Sequence, residues 1–496
     1  MAVTGRIDGV PSDIWHEEVL APQFAYEAEH LLGHYLAIEK VLLLEYVRMG
    51  LVDDTGAAGI GARLDSLTPD VVRADPKENM SDISFAVERH VLSGPVPPFP
   101  AWHVDRSRND LQVCAQLMSA RENLTAVAAD LLSLGRTVTS LAARYADVPM
   151  PGYTHAQAAQ IISPGFHLAA LAAETTVTLR RMLHTYDEAD ACPLGSGTMA
   201  GQELAWDRAR MAGLLGFSGV QPHALVAVAS RGWALAMAGD LAGYAVTLSR
   251  FATDLMAWGG SGFGFLVLPD ELSGISAAMP QKRNFPVLER IRGRCAHVAG
   301  CAADLAAGQR NTAYTNTVEV SKEAGGHLRT QFDTMRSVLR LTRAVVAGAA
   351  FSADRMREAC AREYLGGFTL ANRLTLECGI PWRTAQVISG RYIKRALEKG
   401  LGPAEPDGPL LAALCADEEY EVARADALLV AAFDVDEGLR AKRSAGSAHP
   451  DEVRAMLAGQ DGELARLTHA WSLREGRSAD AARRRDHLLA TAERRS

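Results

Sequence analysis

The sequence predicts an all-α protein built on unusually long helices. Proline, which lacks the N–H donor that an interior helical residue needs, is absent from four long intervals: 101–148, 165–192, 223–268 and 287–380. These intervals are rich in alanine, leucine, arginine and glutamate, which favour the helix, whereas short β-branched alternations bounded by turns are scarce. A helix filling one interval would have roughly thirty residues and span about 45 Å, well above the average for globular proteins.

Segment 224–258 would be apolar nearly all round as a helix. Its large apolar residues are Leu225, Val228, Trp233, Leu235, Met237, Leu241, Tyr244, Leu248, Phe251 and Leu255. Because Arg231, Asp240 and Arg250 interrupt the segment, we do not expect it to span a membrane. Such a helix must be enclosed by other helices, and one chain has few that are long enough. The segment therefore predicts a homo-oligomer assembled through a long helical bundle.

Shorter helices are expected on both sides of the bundle. The predicted segments are Glu27–Gly50, Ala57–Leu67, Ser81–Leu92, Phe368–Gly379 and Thr384–Lys399. The first is amphipathic and ends at a glycine, a common stop signal. The proline-rich stretches Gly94–Pro100 and Gly400–Pro409 are predicted to be connections.

Composition and charge limit the classes of function. The 496 residues are 48% hydrophobic and 22% charged, which is typical of a globular protein. The net charge of -8 argues against a nucleic-acid binder, because that class needs a basic face. The seven cysteines are scattered without metal-ligand spacing, and the N-terminus lacks a basic-then-apolar signal. We therefore expect reduced thiols, no metal site and a cytoplasmic protein.

Residues 273–289, SGISAAMPQKRNFPVLE, combine a small-residue run with three polar groups. The Ser276 hydroxyl could act as a base if a nearby ammonium such as Lys282 and backbone N–H groups stabilised its oxyanion. The Lys282 cation and the Asn284 amide could together hold a carboxylate that gains charge. Taken alone, these residues favour the simpler interpretation, which is a solvated mobile loop before a helix that starts at Pro286.

Three other stretches carry groups suited to chemistry. HVDRSRND (103–110) places two arginines, a serine and an asparagine at a helix start. These groups could bind a dicarboxylate, or they could only cap the helix and add surface charge. In MPGYTHAQ (150–157), Thr154 adjoins His155, which can exchange a proton near neutral pH or be an ordinary surface residue. PLGSGTMAG (193–201) has neither phosphate-loop nor dinucleotide spacing and predicts a tight turn.

Together these stretches resemble the argininosuccinate lyase family of the fumarase/aspartase superfamily. HVDRSRND resembles the family's H-T-G-R-S-R-N-D, MPGYTHAQ its M-P-G-Y-T-H-x-Q, PLGSGTMAG its P-L-G-S-G-x-x-A-G, and MPQKRN its M-P-Q-K-K-N. Tyr314, Lys322 and GIPWR at 379–383 stand where the family has similar residues. The similarity runs from about Asp82 to the C-terminus.

The resemblance implies a three-domain all-α fold. Its expected parts are an N-terminal helical domain at 1–107, a central long-helix bundle at 108–362 and a C-terminal helical domain at 363–496. It implies a homotetramer in which the central helices form a twenty-helix core and three subunits build each active site. The implied reaction is the reversible β-elimination of fumarate from an N-succinyl amine, with no metal and no organic cofactor.

The resemblance also implies catalytic roles. Ser276 would take the proton from the carbon beside the carboxylate, while Lys282 and Asn284 would hold the aci-carboxylate that forms. His155, oriented by Glu289, would help to protonate or position the leaving nitrogen, and the identity of the acid stays open.

Further residues are implied to bind substrate. Arg108, Asn109 and Thr154 would grip the fumarate half. Ser107, Tyr314 and Lys322 would line the site.

Departures from the family pattern fall mostly on the amine side and in flanking positions. Ile275 and Ala277 replace a glycine and a serine of the mobile loop, and the other changed positions are Ser84, Val104, Asp105 and Leu111. Glu319 replaces a glutamine implicated in binding the amino-acid half. Because a carboxylate there would repel the arginine carboxylate and attract a cation, a different amine, such as the diamine of ethylenediamine-disuccinate lyases, stays open. A non-catalytic structural protein, like the lens crystallins of this fold, is the alternative of another class.

Overall fold

The computed structural model describes residues 9–78, 82–94 and 100–493. In these ranges the chain is mostly helical, and its strands form four two-stranded ladders. The all-α fold class is thereby confirmed. No helix of the described part is both long enough and apolar enough to cross a membrane.

The N-terminal part is a set of short helices. They are α1 (Asp13–Trp15), a π-helix (His16–Leu20), α2 (Ala21–His30), α3 (Leu32–Arg48), α4 (Asp54–Asp65), a 3-10 turn (Pro76–Glu78) and α5 (Ile83–Leu92). The single helix predicted over Glu27–Gly50 is wrong, because Leu31 leaves the helical region at φ -121° and ψ -13°. The predicted helix start at Ser81 and most of the predicted connection 94–100 lie outside the described residues.

Five long helices form the centre of the molecule. They are α6 (Arg108–Arg144), α7 (Pro164–Glu188), α10 (Gly232–Gly259), α11 (Pro286–Gln309) and α12 (Leu328–Gly348). Each lies within a proline-free interval or begins at the proline that opens one, because proline is tolerated in the first turn. Intervals 223–268 and 287–380 do not form single helices. In the first, Ser230 takes an extended conformation after α9 (Ala224–Ala229). In the second, loops separate α11 from α12, and α12 from α13 (Ala353–Arg362).

The long helices share one hydrophobic core. Neighbouring pairs are α6 with α7 and α12, and α11 with α10 and α12. Fully buried residues from all five helices meet in that core: Leu131, Leu179, Met237, Val298 and Met335. Segment 224–258 is therefore only partly enclosed within one chain, since Val246 of α10 stays exposed.

Four small ladders fix the loops at the helix ends. An antiparallel hairpin pairs β1 (Met150–Thr154) with β2 (Gln157–Ile162), and a parallel pair joins β3 (Ala191–Cys192) to β4 (Gly219–Val220). Antiparallel pairs join β5 (Leu266–Val267) to β8 (Ala350–Phe351) and β6 (Gly274–Ile275) to β7 (Arg283–Asn284). A short helix, α8 (Arg208–Leu214), follows the glycine-rich turn.

The C-terminal part contains a second core and a return to the first. Helices α14 (Gly367–Cys378), α15 (Trp382–Glu398), α16 (Gly408–Ala416) and α17 (Ala425–Phe433) enclose a separate apolar cluster. Gly366 permits this packing, because a Cβ there would lie 1.8 Å from the Ala432 carbonyl oxygen. After α18 (Val435–Arg440), the 44-residue α19 (Pro450–Glu493) packs on α6 and α7 in the main core.

Candidate active site

The first residues of α6 carry part of the predicted site. Ser107 caps the helix, and its Oγ accepts a hydrogen bond from the Asn109 N–H at 3.2 Å, as serine does at many helix starts. Arg108 is 56% exposed and donates to Asp82 Oδ2 at 3.0 Å. Its guanidinium lies 4.6 Å from the Phe85 ring centre. The arginine side chain is thus held at the surface of the molecule.

The glycine-rich turn lies directly against this helix start. Asn109 Nδ2 donates to the Thr198 carbonyl oxygen at 3.0 Å. Asp110 Oδ2 accepts from the N–H groups of Gly195 and Gly197 at 2.9 and 3.0 Å. Burial raises the pKa of Asp110 to about 7, although these two hydrogen bonds and the nearby Arg106 oppose the rise. The stretches HVDRSRND and PLGSGTMAG therefore form one unit.

A buried ion pair stabilises the turn before α6 within this unit. Arg106 donates from Nη2 to Glu39 Oε1, and both side chains are almost completely buried. Burial, reinforced by the Arg106 charge, lowers the pKa of the adjacent His103 to about 2, so this histidine is neutral. Arg106 and Glu39 come from positions 67 residues apart, and they connect the turn before α6 to α3.

Lys322 lies beside the start of α6 as well. It belongs to a π-helix, Glu319–Glu323, which is fixed to α6 because Gln112 and Gln116 donate to the Ser321 carbonyl oxygen at 3.3 and 2.7 Å. Lys322 Nζ forms an ion pair with Glu27, whose side chain is 3% exposed. Burial raises the pKa of Glu27, and Lys322 opposes the rise.

A cavity of about 360 Å³ adjoins this ion pair. Its polar and aromatic lining includes Tyr26, Gln116, Asn123, Arg231, Trp233 and Lys322. Glu319 and Tyr314 are exposed outside it, with Tyr314 62% exposed. The pKa of Glu319 is lowered by hydrogen bonds from its own backbone N–H and the Thr317 hydroxyl, so the carboxylate is ionised at neutral pH.

The predicted catalytic loop is the end of a hairpin rather than a loop without regular pairing. Gly274 and Ile275 pair with Asn284 and Arg283. Ser276 follows the first strand, and its Oγ accepts a hydrogen bond from the Met279 N–H at 3.1 Å.

The basic end of this hairpin leads into α11. The Lys282 N–H donates to the Met279 carbonyl oxygen at 3.0 Å, and the Lys282 side chain is exposed. Asn284 Nδ2 lies 3.5 Å from the Ile275 carbonyl oxygen. Helix α11 starts at Pro286 as expected, and Glu289 is exposed in its first turn. The chain thus brings Ser276, Lys282 and Asn284 together.

His155 and Thr154 occupy the tip of the β1–β2 hairpin. Both are exposed, and His155 has φ 52°, an uncommon conformation outside glycine. Among the described residues, no hydrogen bond or ion pair joins His155 to Glu289. The orientation of His155 by Glu289 that the resemblance implies is not made within one chain.

The long helices separate the predicted site residues into distinct regions. Helix α6 has 37 residues, so about 55 Å lie between Asn109 at its start and the hairpin that carries His155 beyond its end. Helix α11 has 24 residues, so about 36 Å lie between the Ser276 hairpin and the region of Tyr314 and Lys322. One chain therefore gathers Ser107, Arg108, Asn109 and Lys322 at one place and Ser276, Lys282 and Asn284 at another.

Several residues of these regions were not found from the sequence. Glu27 and Glu39 are acids on otherwise apolar helix faces, and only their charge at buried positions could have drawn attention to them. Asp110 ends the HVDRSRND stretch, but its contact with the glycine turn spans 85 residues of sequence. Gln112 and Gln116 have no local signal.

Comparisons with known proteins agree with this architecture. A family model described as lyase matches residues 86–300. The argininosuccinate lyase of Methanothermobacter thermautotrophicus is 31% identical over 82% of this chain and 87% of its own length. That of Desulforudis audaxviator is 30% identical over 90% and 94%.

Solved structures show the same fold. EDDS lyase in complex with formate has a TM-score of 0.85 at 21% identity, covering 98% of this chain and 96% of that one. The class II fumarase of Schistosoma mansoni has a TM-score of 0.67 at 15% identity, covering 84% and 95%. The architecture is that of the fumarase/aspartase superfamily of lyases. Within it, the chain belongs to the argininosuccinate lyase family and is a fumarate-releasing carbon–nitrogen lyase, which confirms the family and the class of enzyme expected from the sequence.

Proposed function

We propose that this enzyme catalyses the reversible β-elimination of fumarate from an N-succinyl amine, with Ser276 as the base. The serine oxyanion removes a proton from the carbon beside the carboxylate. The electron pair of that C–H bond is held as an aci-carboxylate, and it then forms the double bond of fumarate as the C–N bond breaks. The leaving nitrogen gains a proton and departs as the free amine.

The single observation that supports this role is the geometry of the β6–β7 hairpin. Ser276 Oγ already accepts the Met279 N–H at 3.1 Å, and the Lys282 ammonium is carried on the same turn. An N–H donor and a nearby cation stabilise an alkoxide and so lower the pKa of a serine hydroxyl. Lys282 and Asn284 would then neutralise the charge that develops on the substrate carboxylate.

The remaining groups are proposed to act on the two ends of the substrate. Arg108, Asn109 and Thr154 would bind the fumarate carboxylates, because arginine forks and amide donors match carboxylate oxygens. His155, oriented by Glu289 of another copy, would protonate or position the leaving nitrogen. Ser107, Tyr314 and Lys322 would line the site.

The assembly follows from the separation of these groups. The length of α6, about 55 Å, separates Asn109 from the hairpin of His155, whereas a succinyl amine is much smaller, so at least two copies would contribute to one site. We propose the family's homotetramer, with a twenty-helix core and active sites shared by three subunits. The incomplete enclosure of α10, with Val246 exposed, supports burial of the bundle against further copies.

The amine half of the substrate has two candidates. The first is arginine, so that the substrate is argininosuccinate. The second is a cationic amine without that carboxylate, as in an ethylenediamine-disuccinate-like substrate, and the ionised Glu319 favours it. A carboxylate at this place attracts an ammonium and repels the arginine carboxylate.

Purified protein supplied with argininosuccinate tests both proposals, with fumarate followed by its ultraviolet absorbance. Rapid release would support arginine and defeat the altered-amine proposal. Without release, amines are screened with fumarate in the reverse direction and adducts are detected by mass spectrometry. No adduct with any amine would refute the proposed reaction.

A further inference from the structure

The turn before α6 contains a residue in an unfavourable backbone conformation. Asp105 has φ 59°, in the left-handed region that costs free energy for residues with a Cβ. The argininosuccinate lyase pattern H-T-G-R-S-R-N-D has glycine at this position, and glycine adopts such angles without strain. Aspartate tolerates this region better than most residues with a Cβ, but its remaining cost relative to glycine calls for a compensating interaction.

The Asp105 carboxylate supplies that interaction. Its Oδ2 accepts hydrogen bonds from the N–H groups of Glu203 and Leu204 at 2.9 and 2.8 Å, and from Trp206 Nε1 at 2.9 Å. Its main-chain carbonyl also accepts from Gln202 Nε2 at 2.5 Å. Burial alone would raise the pKa of Asp105, but these N–H donors lower it. The Asp105 side chain therefore binds Glu203, Leu204 and Trp206, and its main chain binds Gln202, in segment 202–206, which follows the glycine-rich turn.

The segment held by Asp105 continues into the turn that contacts Asn109. Thr198 accepts the Asn109 amide hydrogen bond at 3.0 Å, four residues before Gln202. Gly201, at φ 99°, lies between them, and its N–H donates to the Ser196 carbonyl oxygen at 2.9 Å. The turn is fixed by Asp110 on the side before Thr198 and by Asp105 on the side after it. Without the second attachment, the Thr198 carbonyl could move and the Asn109 amide with it.

We propose that Asp105 is a positioning residue that fixes the Asn109 amide for the fumarate half of the substrate by holding segment 202–206 against the turn before α6. With Nδ2 donating one hydrogen to Thr198, its second hydrogen and Oδ1 keep a defined direction toward the substrate. The inference rests on the proposed function, because it assumes that Asn109 binds the fumarate half.

The test compares Asp105→Gly and Asp105→Asn with Glu203→Gln as the matched control. Glycine keeps the backbone angle and removes all side-chain hydrogen bonds, whereas asparagine tolerates the angle and keeps an accepting oxygen. Glu203→Gln removes a charge from the same segment, but only the Glu203 main chain contacts Asp105. Turnover, product inhibition by fumarate and product inhibition by the amine are measured for each.

The expected result is a selective loss. Asp105→Gly should raise the inhibition constant for fumarate about tenfold, which corresponds to the loss of about one net hydrogen bond, and leave the inhibition constant for the amine unchanged. The inhibition constant of Asp105→Asn for fumarate should lie between those of wild type and Asp105→Gly, and that of Glu203→Gln should match wild type. In an Asn109→Ala background, Asp105→Gly should have no further effect on fumarate, because the two residues act through one path.

Two results would overturn the proposal. One is an unchanged fumarate constant in Asp105→Gly with only a lower melting temperature, which indicates a purely structural role. The other is a change in the fumarate inhibition constant on Asp105→Gly that is equally large in the wild-type and the Asn109→Ala backgrounds. If Asp105→Gly does not fold, the same criteria apply to Asp105→Asn. An inactive wild type would refute the proposed function itself, whereas an active wild type with an unselective Asp105→Gly would refute only the positioning role.

Discussion

Mixing two inactive variants tests whether separate copies build the active site. Asn109→Ala removes a proposed carboxylate-binding group at the start of α6, and His155→Ala removes the imidazole beyond its end. Each variant alone should lose about a hundredfold or more in turnover, as the loss of a positioned polar group does. Because α6, with 37 residues, places about 55 Å between Asn109 and the hairpin of His155, the proposed shared site would take the two groups from different copies.

The magnitude of recovery follows from that separation. In a randomly mixed oligomer with equal amounts of both chains, each of the two positions in a site is wild type in half of the cases. About a quarter of the sites therefore regain both groups, and turnover should reach about a quarter of the wild-type rate. A matched control mixes Arg108→Ala with Asn109→Ala. These residues are adjacent and always come from the same copy, so no site is restored.

The assay uses differently tagged chains that are co-expressed and purified through both tags. Native mass spectrometry verifies that mixed oligomers are present, and fumarate formation is followed spectrophotometrically. Mixed oligomers of Asn109→Ala and His155→Ala with no more activity than the control pair would refute the shared-site account. Recovery in the control pair would equally contradict it.

Three further predictions concern single positions. Burial raises the pKa of the Asp110 carboxyl to about 7, above the value near 4 that it has in the unfolded chain. The protonated carboxyl therefore contributes fully to stability below about pH 4, and this contribution is lost as the pH rises through 7. Relative to wild type, the free energy of unfolding of Asp110→Asn should therefore rise by up to about 4 kcal/mol between pH 4 and pH 8. A difference between the two proteins that does not change with pH in denaturant titrations would contradict this. Glu39→Ala leaves the buried Arg106 unpaired and should lower the free energy of unfolding by about 3–5 kcal/mol. Replacing both Glu39 and Arg106 with apolar residues should restore most of that stability. Equal losses of stability in the single and the double variant would argue against the ion pair. Glu319→Gln should improve kcat/KM for argininosuccinate relative to a cationic amine substrate, and an unchanged ratio would show that Glu319 does not select the amine.

Local sequence patterns predicted the helices well because helix formation depends on near neighbours. The proline-free interval 101–148 became α6, and Pro286 began α11 as its position indicated. The pattern failed at Leu31, where the break has no proline and the nearby Gly33 lies inside the next helix, α3. Intervals 223–268 and 287–380 were likewise divided without proline.

The candidate site was predictable only as separate stretches. The resemblance named Ser276, Asn109 and His155, but no local pattern shows that Lys322 pairs with Glu27, a residue 295 positions away. The Asp105 contacts cross about a hundred residues in the same way. Such contacts depend on the packing of α3, α6 and the glycine turn. In the proposed function the complete site also draws on other copies, which the residues of one chain do not specify.

The fumarate release rate of Ser276→Ala tests the central claim most directly. The measurement uses wild type and variant oligomers of the same size, with the substrate that the amine screen identifies. Removal of the base should lower turnover about a thousandfold, with substrate affinity little changed. Turnover within a few fold of wild type in a correctly assembled oligomer would contradict the account.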